Sequence, residues 1–478
     1  MFQLIIIVVL TIVSCTTGEN PAFQVTLNNK GLQYGKHVAA GWIQDRLGLI
    51  TLPDISGEAL LVHYTLSGIK ITKCDFPEPS VEFYQNVTGL KSSITGLSIA
   101  VNGSWATHLG VIHDGGTFDL AVFNVGVTSV VKLGKDSNGH LSVTNVNCDA
   151  KVGDVQMNFY GGQSWIFKPF LKYYKGHVLA AIQANICPNV EDFIVKVESH
   201  LQALNVSIIV DSFLSLDLNL TSSPVIDSTS LNLPLKGQFY SIKTHKEPPF
   251  VAQPFTMPKQ TDYMLSIGLS DFTANSASYA YYSDGQLMMY IDDKMIPPAS
   301  PVHLNTSSMG PYIPQLPQMF PNLLMKLLVY ARNCPMFSFQ PGAVKLGLPL
   351  AIKAFAIQPN TSLTPLFKLH VMANISGKMW IGDGRLRGSV MMDNFKLTLA
   401  GSEVGAFKTT PFGKTIEDWT TDGSPAQHQQ DVWQRCCFTQ NEKRSAGVLR
   451  SNGGAGISSR CFRFCDSDNR RTLQLTKS

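Results

Sequence analysis

Alternating apolar and polar residues dominate the chain and predict a protein built mainly of antiparallel strands. Between residues 62 and 161, apolar positions recur at every second residue, and Gly, Asn or Asp separate the runs. A period of two is typical of strands with one buried face. The pattern returns in five long runs after residue 263. The sequence therefore predicts two large twisted antiparallel sheets, one in each half of the chain.

Two segments depart from this period and predict helices. Residues 35–50 predict an amphipathic helix that ends near Gly48. Its apolar positions are Val38, Ala39, Trp42, Ile43 and Leu47. Residues 170–204 have apolar positions at three- and four-residue steps and predict a longer helix, bent at Pro188. Its apolar positions are Val178, Ile182, Ile186, Val190, Phe193, Ile194, Val197, Leu201 and Leu204.

A proline-rich stretch separates the two halves, with prolines at Pro248, Pro249, Pro254 and Pro258. Proline fixes φ and donates no backbone hydrogen bond, so this stretch is not a central strand. It suits an extended, semi-rigid connector. The predicted division is a signal peptide at 1–18, a first domain at 19–240, a linker at 241–262, a second domain at 263–407 and a tail at 408–478.

The amino terminus predicts a secreted protein. Residues 4–13 are apolar and small polar residues follow, which favours a signal peptide over a buried first strand. The run is shorter than the roughly 20 residues that span a bilayer, and no second such run occurs. Seven Asn-X-Ser/Thr sequences are candidate glycosylation sites: Asn86, Asn102, Asn205, Asn219, Asn305, Asn360 and Asn374.

Charge is sparse and unevenly placed. Charged residues make up 15% of the chain and hydrophobic residues 44%, which fits a large apolar interior. The net charge of +4 arises entirely from residue 405 onwards, where 11 basic residues accompany 7 acidic ones. Nucleic-acid binding calls for a basic patch, and no long basic run occurs. No nucleic-acid partner is therefore expected.

The cysteines fit an oxidising compartment but leave their pairing open. Eight remain after the signal peptide is removed: Cys74, Cys148, Cys187, Cys334, Cys436, Cys437, Cys461 and Cys465. Eight cysteines allow 105 pairings. The spacing of the last four matches no zinc pattern, which favours unpaired or disulfide-forming thiols over a metal site. No metal is expected.

Catalytic signatures are absent from the sequence. There is no Gly-X-Ser-X-Gly elbow, no HEXXH and no P-loop. His108 and His113 have no carboxylate or thiol at ligand spacing, which favours loop histidines over a metal site. The protein is therefore expected not to be an enzyme. A helix against a curved sheet can instead leave a slot for acyl chains, although packing favours a filled core.

Four stretches closely resemble, in order, segments of the bactericidal permeability-increasing protein and lipopolysaccharide-binding protein family. They are residues 20–58, 235–297, 314–322 and 352–360. The resemblance implies an α+β fold, an elongated boomerang of two barrels joined by a central sheet and the proline-rich linker. Each barrel is then a long twisted antiparallel sheet around helices, with a phospholipid in an apolar pocket. Bound phospholipid is expected as a ligand, and no cofactor is expected.

The resemblance also implies a disulfide between Cys148, in a strand, and Cys187, in the long helix. Cys74 and Cys334 do not match bridge positions and are expected to be buried free thiols or an unusual pair. The bactericidal members have basic residues at the tip of the first barrel, which can pair with lipid A phosphates. The matching residues 103–120 contain no Lys or Arg. Trp105 matches the family and His113 can gain charge, so these two are the candidate headgroup contacts.

The resemblance ends near Phe407, after which we expect a mostly disordered tail and an incomplete second barrel. The function that the resemblance implies is secreted, antibacterial binding of Gram-negative lipopolysaccharide through lipid A, in innate immunity. The expected partners are lipopolysaccharide, phospholipids and the Gram-negative outer-membrane surface. Because the tip lacks basic residues, a phospholipid carrier of the same fold without bactericidal action is the alternative.

Overall fold

The computed structural model describes residues 19–47, 54–59, 62–109, 112–162, 168–296, 298, 300, 302–382 and 385–415. Over these residues the protein is a mixed α+β fold dominated by antiparallel sheet, as predicted. The signal-peptide prediction for residues 1–18 lies outside the described residues. Within them, no helix combines the length and the apolar character needed to cross a membrane.

The chain forms two compact units. The first contains the residues up to Val206, Leu218–Lys236 and Met257–Ile267. The second contains Ser207–Asp217, Gly237–Thr256 and the described residues from Gly268 onwards. The predicted linker at 241–262 therefore contributes to both units, an exchange of segments that the sequence pattern does not indicate.

The amino-terminal half begins with a strand. Two helices follow in the chain, one before and one after a long meander of strands. Its elements are β1 (Phe23–Asn28), α1 (Asn29–Leu47), β2 (Ile55–Ala59), β3 (Val62–Asp75), β4 (Ser80–Tyr84), β5 (Gly89–Leu109), β6 (Ile112–Lys135), β7 (Leu141–Lys151), β8 (Asp154–Tyr160) and α2 (Lys168–Gln202).

Short strands connect the two halves. They are β9 (Ser207–Ile209), β10 (Leu214–Asp217), β11 (Val225–Ile226), β12 (Ser230–Leu235), β13 (Gln238–Ser241) and β14 (Leu265–Leu269). They build a four-stranded sheet of order β11-β12-β1-β14 and a three-stranded sheet of order β13-β10-β9. Between β13 and β14, the proline-rich stretch contains no helix or strand.

The remaining elements belong to the second unit. They are α3 (Asp271–Ser283), β15 (Met288–Asp292), α4 (Gln315–Met319), β16 (Met325–Ala331), β17 (Met336–Gln340), β18 (Ala343–Ile357), β19 (Leu363–Gly382) and β20 (Arg385–Ser402). Their sheet has the order β15-β16-β18-β19-β20, and β17 also pairs with β18. Its inner face packs on a core that includes Met309, Leu316, Met325, Leu366 and Leu369.

The large sheet of the first unit has the order β2-β3-β5-β6-β7, with β4 paired to β5 and β8 paired to β6. The strands β5 and β6 are the longest, with 21 and 24 residues. Their register shifts between Ile94 and Ile99, and such bulges bend a strand and increase its twist. Long, bent strands let one sheet wrap around α2.

The helix α2 lies on this sheet by the apolar face that its sequence predicts. Seven of the nine predicted positions pack into two core clusters on either side of Pro188. Phe193 and Leu204 do not, and their side chains are 65% and 58% exposed. Polar contacts add to the packing: the Glu198 carboxylate accepts hydrogen bonds from the Val143 N–H and the Ser142 hydroxyl.

The helix α1 differs from its prediction in start and orientation. It begins at Asn29, six residues before the predicted segment. Leu32 and Ala40 are buried, whereas Val38, which the pattern assigned to the buried face, is 51% exposed. The side chains of Trp42, Ile43 and Leu47 lie outside the described residues. The pattern therefore predicted the helix, and its assignment of Val38 to the buried face is wrong.

The first residues of the predicted disordered tail are ordered, which corrects that prediction for residues 408–415. The Phe412 ring lies 5.4 Å from the ring of Tyr312 and packs on the core of the second unit. The Thr409 hydroxyl donates a hydrogen bond to the Leu397 carbonyl. Burial of aromatic surface holds this segment in place. Residues 416–478 lie outside the described residues, and an incomplete second barrel stays a prediction.

We expect Phe412→Ala to free this segment, because it removes the ring that anchors it. The free energy of unfolding of the second unit should fall by about 1–3 kcal/mol, the lower end of large-to-small core substitutions. Trypsin should then cut at Lys408 faster than in the parent chain. Pro411→Ala, at an exposed position of the same segment, is the control. Equal cutting of the parent chain and the Phe412 variant would contradict the anchoring.

Candidate lipid-binding surfaces

One face of the large sheet in the first unit carries an apolar strip. Near the hairpin of β5 and β6, the described residues of the strip all belong to strands, and Ile69, Val101, Trp105 and Phe118 are buried. Leu120 packs on this group and also on the cluster of Val125, Val152 and Val155, which meets α2. The strip therefore runs continuously from beneath the helix towards the hairpin. We call these two clusters the apolar strip.

Trp105, a candidate headgroup contact, lies inside this strip and is 3% exposed. Its indole N–H donates a hydrogen bond to the Tyr160 carbonyl at 3.2 Å, and its ring meets the edge of Phe159 at 5.9 Å. Gly116 lies directly opposite Trp105 in the register. A Cβ there would be 1.9 Å from the Tyr160 carbonyl oxygen, so glycine leaves the space in which the indole and this carbonyl meet.

His113, the other candidate contact, belongs to a row of three histidines across three strands. His63 is directly opposite His108, and His108 is directly opposite His113. The Nδ1 atoms of His108 and His113 are 3.1 Å apart, and all three side chains are exposed. We call these residues the histidine row. Sequence spacing showed two of them; the third, 45 residues before His108, needed the strand register.

The histidine row places three imidazole rings side by side on the surface of the sheet. Among the described residues, no group of three or more His, Cys, Asp or Glu has a geometry that could hold a metal ion. Imidazole is the side chain that changes charge between pH 5 and 8. An imidazole N–H group can donate a hydrogen bond to a phosphate oxygen. The nearby Asp114 carboxylate accepts a hydrogen bond from the Gly115 N–H.

A disulfide joins Cys148 of β7 to Cys187 of α2, the two cysteines that the family resemblance pairs. Cys187 directly precedes Pro188, where the helix lacks one backbone donor. The bond therefore attaches α2 to the sheet at its weakest turn.

Cys74 and Cys334 are free thiols in the structure, but they are half-buried rather than buried. Burial raises the pKa of both thiols, and Asp75 raises that of Cys74 further. A raised pKa lowers the thiolate fraction and so the reactivity of each sulfur. Of the two expectations, buried free thiols or an unusual pair, the structure shows free thiols, although both are half-buried.

The seven candidate glycosylation sites divide by exposure, and this predicts their occupancy. Those with exposed side chains are Asn86, Asn102, Asn205, Asn360 and Asn374, whereas Asn219 and Asn305 are half-buried. The Asn305 side chain also accepts a hydrogen bond from the Ser308 N–H. Because a glycan must stay in solvent, we expect occupancy only at exposed sites. Peptide mapping after enzymatic deglycosylation in heavy-oxygen water tests this, and a fully occupied Asn219 would contradict it.

Comparison with known proteins agrees with this architecture of sheets and helices. The crystal structure of a lipopolysaccharide binding protein superimposes with a TM-score of 0.51 and 24% identity, covering 87% of this chain and 92% of that one. The protein thus shares its α+β fold with that structure. The models of the LBP / BPI / CETP family match residues 31–204 as its N-terminal domain and 208–422 as its C-terminal domain. The chain belongs to this family.

Two relatives illustrate the similarity of this chain to members of the family. The bactericidal permeability-increasing protein of Sebastes schlegelii is 37% identical over 403 residues, covering 83% of this chain and 85% of that protein. The human lipopolysaccharide-binding protein is 28% identical over 397 residues, covering 82% of each. The family match extends to residue 422, which corrects the expectation that the likeness ends at Phe407.

Proposed function

We propose that the protein is a secreted lipid-binding protein of innate immunity that binds the lipid A part of Gram-negative lipopolysaccharide. The observation that supports this most is the match of both family domains, together with relatives named for lipopolysaccharide binding and for bactericidal action. Phospholipid acyl chains are the proposed resident ligand, and the outer-membrane surface is the proposed target. No catalytic step is part of this function.

In this proposal, acyl chains lie on the apolar strip beside the amino-terminal half of α2. Near the hairpin, the partly buried members of the strip, Leu66, Ile71 and Leu120, are the surface that an acyl chain would contact in this proposal. Each CH₂ group removed from water contributes about 0.8 kcal/mol. A lipid with two long chains is therefore held without any charged contact.

A bulky residue in the strip tests this arrangement. Leu120→Trp would add bulk where the two clusters meet, and we expect it to lower the amount of phospholipid that copurifies, as read by native mass spectrometry. Ser104→Trp, on an exposed position of β5, is the matched control. Equal lipid content in both variants would remove the strip as the acyl-chain site.

The headgroup is proposed to meet the histidine row, because the tip offers no Lys or Arg from residue 103 to residue 120. A double variant, His108→Gln with His113→Gln, should then bind lipid A more weakly than the parent chain. The measurement is lipid A binding against phosphatidylcholine vesicles at low and high salt.

The same experiment distinguishes lipopolysaccharide binding from the alternative function, that of a phospholipid carrier without bactericidal action. The absence of basic residues at the tip favours this carrier. A carrier would copurify phospholipid and exchange it with phosphatidylcholine vesicles, yet would not prefer lipid A at either salt concentration. That outcome would reject lipopolysaccharide binding and leave the strip as a lipid site.

A further inference from the structure

The outer face of the second sheet carries a cluster of cations away from the core. In the strand register, Leu328 of β16 is opposite Lys353 of β18, and Lys353 is opposite Lys368 of β19. Directly paired residues point to the same face of a sheet, and the next residues along β18 and β19, Ala354 and Leu369, belong to the core. We call this the cationic face; its cations are Lys326, Arg332, Lys353, Lys368 and Lys396.

This arrangement costs stability within the protein itself. Lys353 and Lys368 form a like-charge pair directly across two strands, which is destabilising. No carboxylate of the described residues forms an ion pair with any of the five cations. The nearest carboxylates are Asp292, opposite Lys326, Asp393, three residues before Lys396 on β20, and Glu403, just beyond β20. Asp292 accepts a hydrogen bond from the Lys294 N–H, and the face keeps a net positive charge.

Tyrosine rings lie beneath two of the lysines. The Lys326 Nζ is 4.9 Å from the centre of the Tyr290 ring, and the Lys353 Nζ is 5.8 Å from that of Tyr330. Cation–π contacts of this kind hold an ammonium group over a ring without neutralising its charge. The lysines are therefore positioned, yet remain available to an external anion.

The positive charges of the cationic face also act on His370. The Arg332 Nη1 is 3.0 Å from the His370 Nδ1. Burial lowers the pKa of His370, and the charges of Arg332 and Lys368 lower it further. The imidazole is thus kept neutral and accepts a hydrogen bond from the guanidinium group.

An apolar notch of about 320 Å³ opens beside these cations. Its lining includes Tyr282, Leu287, Met288, Leu328, Tyr330 and Lys353. Met288 and Tyr290, on the edge strand β15, are 54% and 49% exposed. Exposed methionine and tyrosine beside lysine combine apolar surface with positive charge, which suits the boundary between lipid headgroups and acyl chains.

We propose that the cationic face docks the second unit on the surface of an anionic phospholipid bilayer. The lysines and Arg332 contact lipid phosphates, while Met288 and Tyr290 enter the headgroup layer. Charge complementarity selects this partner, because the face offers several unneutralised cations and apolar edges but no deep pocket. The docking does not depend on lipid in the apolar strip of the first unit.

Vesicle cosedimentation of the full chain tests the docking. The vesicles contain phosphatidylcholine and phosphatidylglycerol in equal parts, with pure phosphatidylcholine as the neutral reference. Removing one lysine near an anionic surface weakens binding about fivefold, so the triple variant Lys326→Gln, Lys353→Gln, Lys368→Gln should bind about 100-fold more weakly. Binding by the parent chain should fall steeply with salt, and Tyr290→Ser should lose the part that persists at high salt.

A control variant that removes three lysines from another surface shows whether the effect is specific to the cationic face. The variant Lys70→Gln, Lys73→Gln, Lys151→Gln removes three exposed lysines from the first unit and should bind anionic vesicles like the parent chain. Both triple variants should keep the parent's unfolding midpoint and its copurified phospholipid, which separates this test from that of the apolar strip. Unchanged vesicle binding by the first triple variant, or equal losses in both, would overturn the proposal.

Discussion

Replacement of both Cys148 and Cys187 by serine is expected to lower the free energy of unfolding by about 3–4 kcal/mol. The bond closes a loop with a sequence separation of 39 residues, and its loss returns that conformational freedom to the unfolded chain. It also releases α2 beside Pro188, where the helix already lacks a backbone hydrogen bond. The amino-terminal half of α2 should therefore detach from the sheet more readily than the rest of the first unit.

Urea unfolding of the double variant and of the parent chain measures this effect, and hydrogen exchange along α2 locates it. The variant Cys74→Ser with Cys334→Ser is the matched control, because it also removes two thiols but breaks no bond. Its unfolding midpoint should stay close to that of the parent. A similar loss in the control, or an unchanged midpoint in the double variant, would show that the disulfide adds little to stability.

The second large effect is expected for Trp105→Ala, which should cost about 3–5 kcal/mol, as for other large aromatic residues truncated in a core. The indole fills the space over Gly116, packs on Phe159 and donates to the Tyr160 carbonyl. Truncation would leave a cavity near the end of the sheet and a carbonyl without that donor. The strands β5, β6 and β8 should lose protection against hydrogen exchange around this point.

Trp105→Phe separates packing from hydrogen bonding. The phenyl ring keeps much of the contact with Phe159 but has no N–H group, so about 1–2 kcal/mol should be lost. Urea unfolding of both variants is the measurement. If the alanine variant were as stable as the phenylalanine variant, the indole would not be a packing residue, and a role at the protein surface would regain support.

The comparison of pattern and structure is clearest for the two helices of the first unit. Seven of the nine positions that the apolar spacing of α2 predicted do pack, because a long helix must bury one continuous face against the sheet. The same reasoning assigned Val38 to a buried face of α1, yet Leu32 and Ala40 are buried instead. Because α1 carries Gly and Ala among its apolar residues, its apolar face is poorly defined. Packing against the neighbouring elements then decides which side of the helix is buried.

At the candidate site, too, the sequence predicted one residue and the structure supplied the others. His113 was recognisable from the sequence because it can gain charge where the family has basic residues. That His63 and His108 lie beside it follows from the pairing of β3 with β5 and of β5 with β6. The cationic face arises in the same way, since its lysines are scattered along separate strands and form no run in the sequence.

Local chemistry therefore determined much of this protein: strands from alternating residues, a long helix from its apolar spacing, and a connector from its prolines. These features follow from neighbouring residues, whose side chains alternate or recur with the backbone period. Only the tertiary structure decided that Trp105 is enclosed, that three histidines form a row, and that the lysines share one face. Each depends on which residues lie opposite across strands, and that register is set by packing and bulges far apart in the sequence.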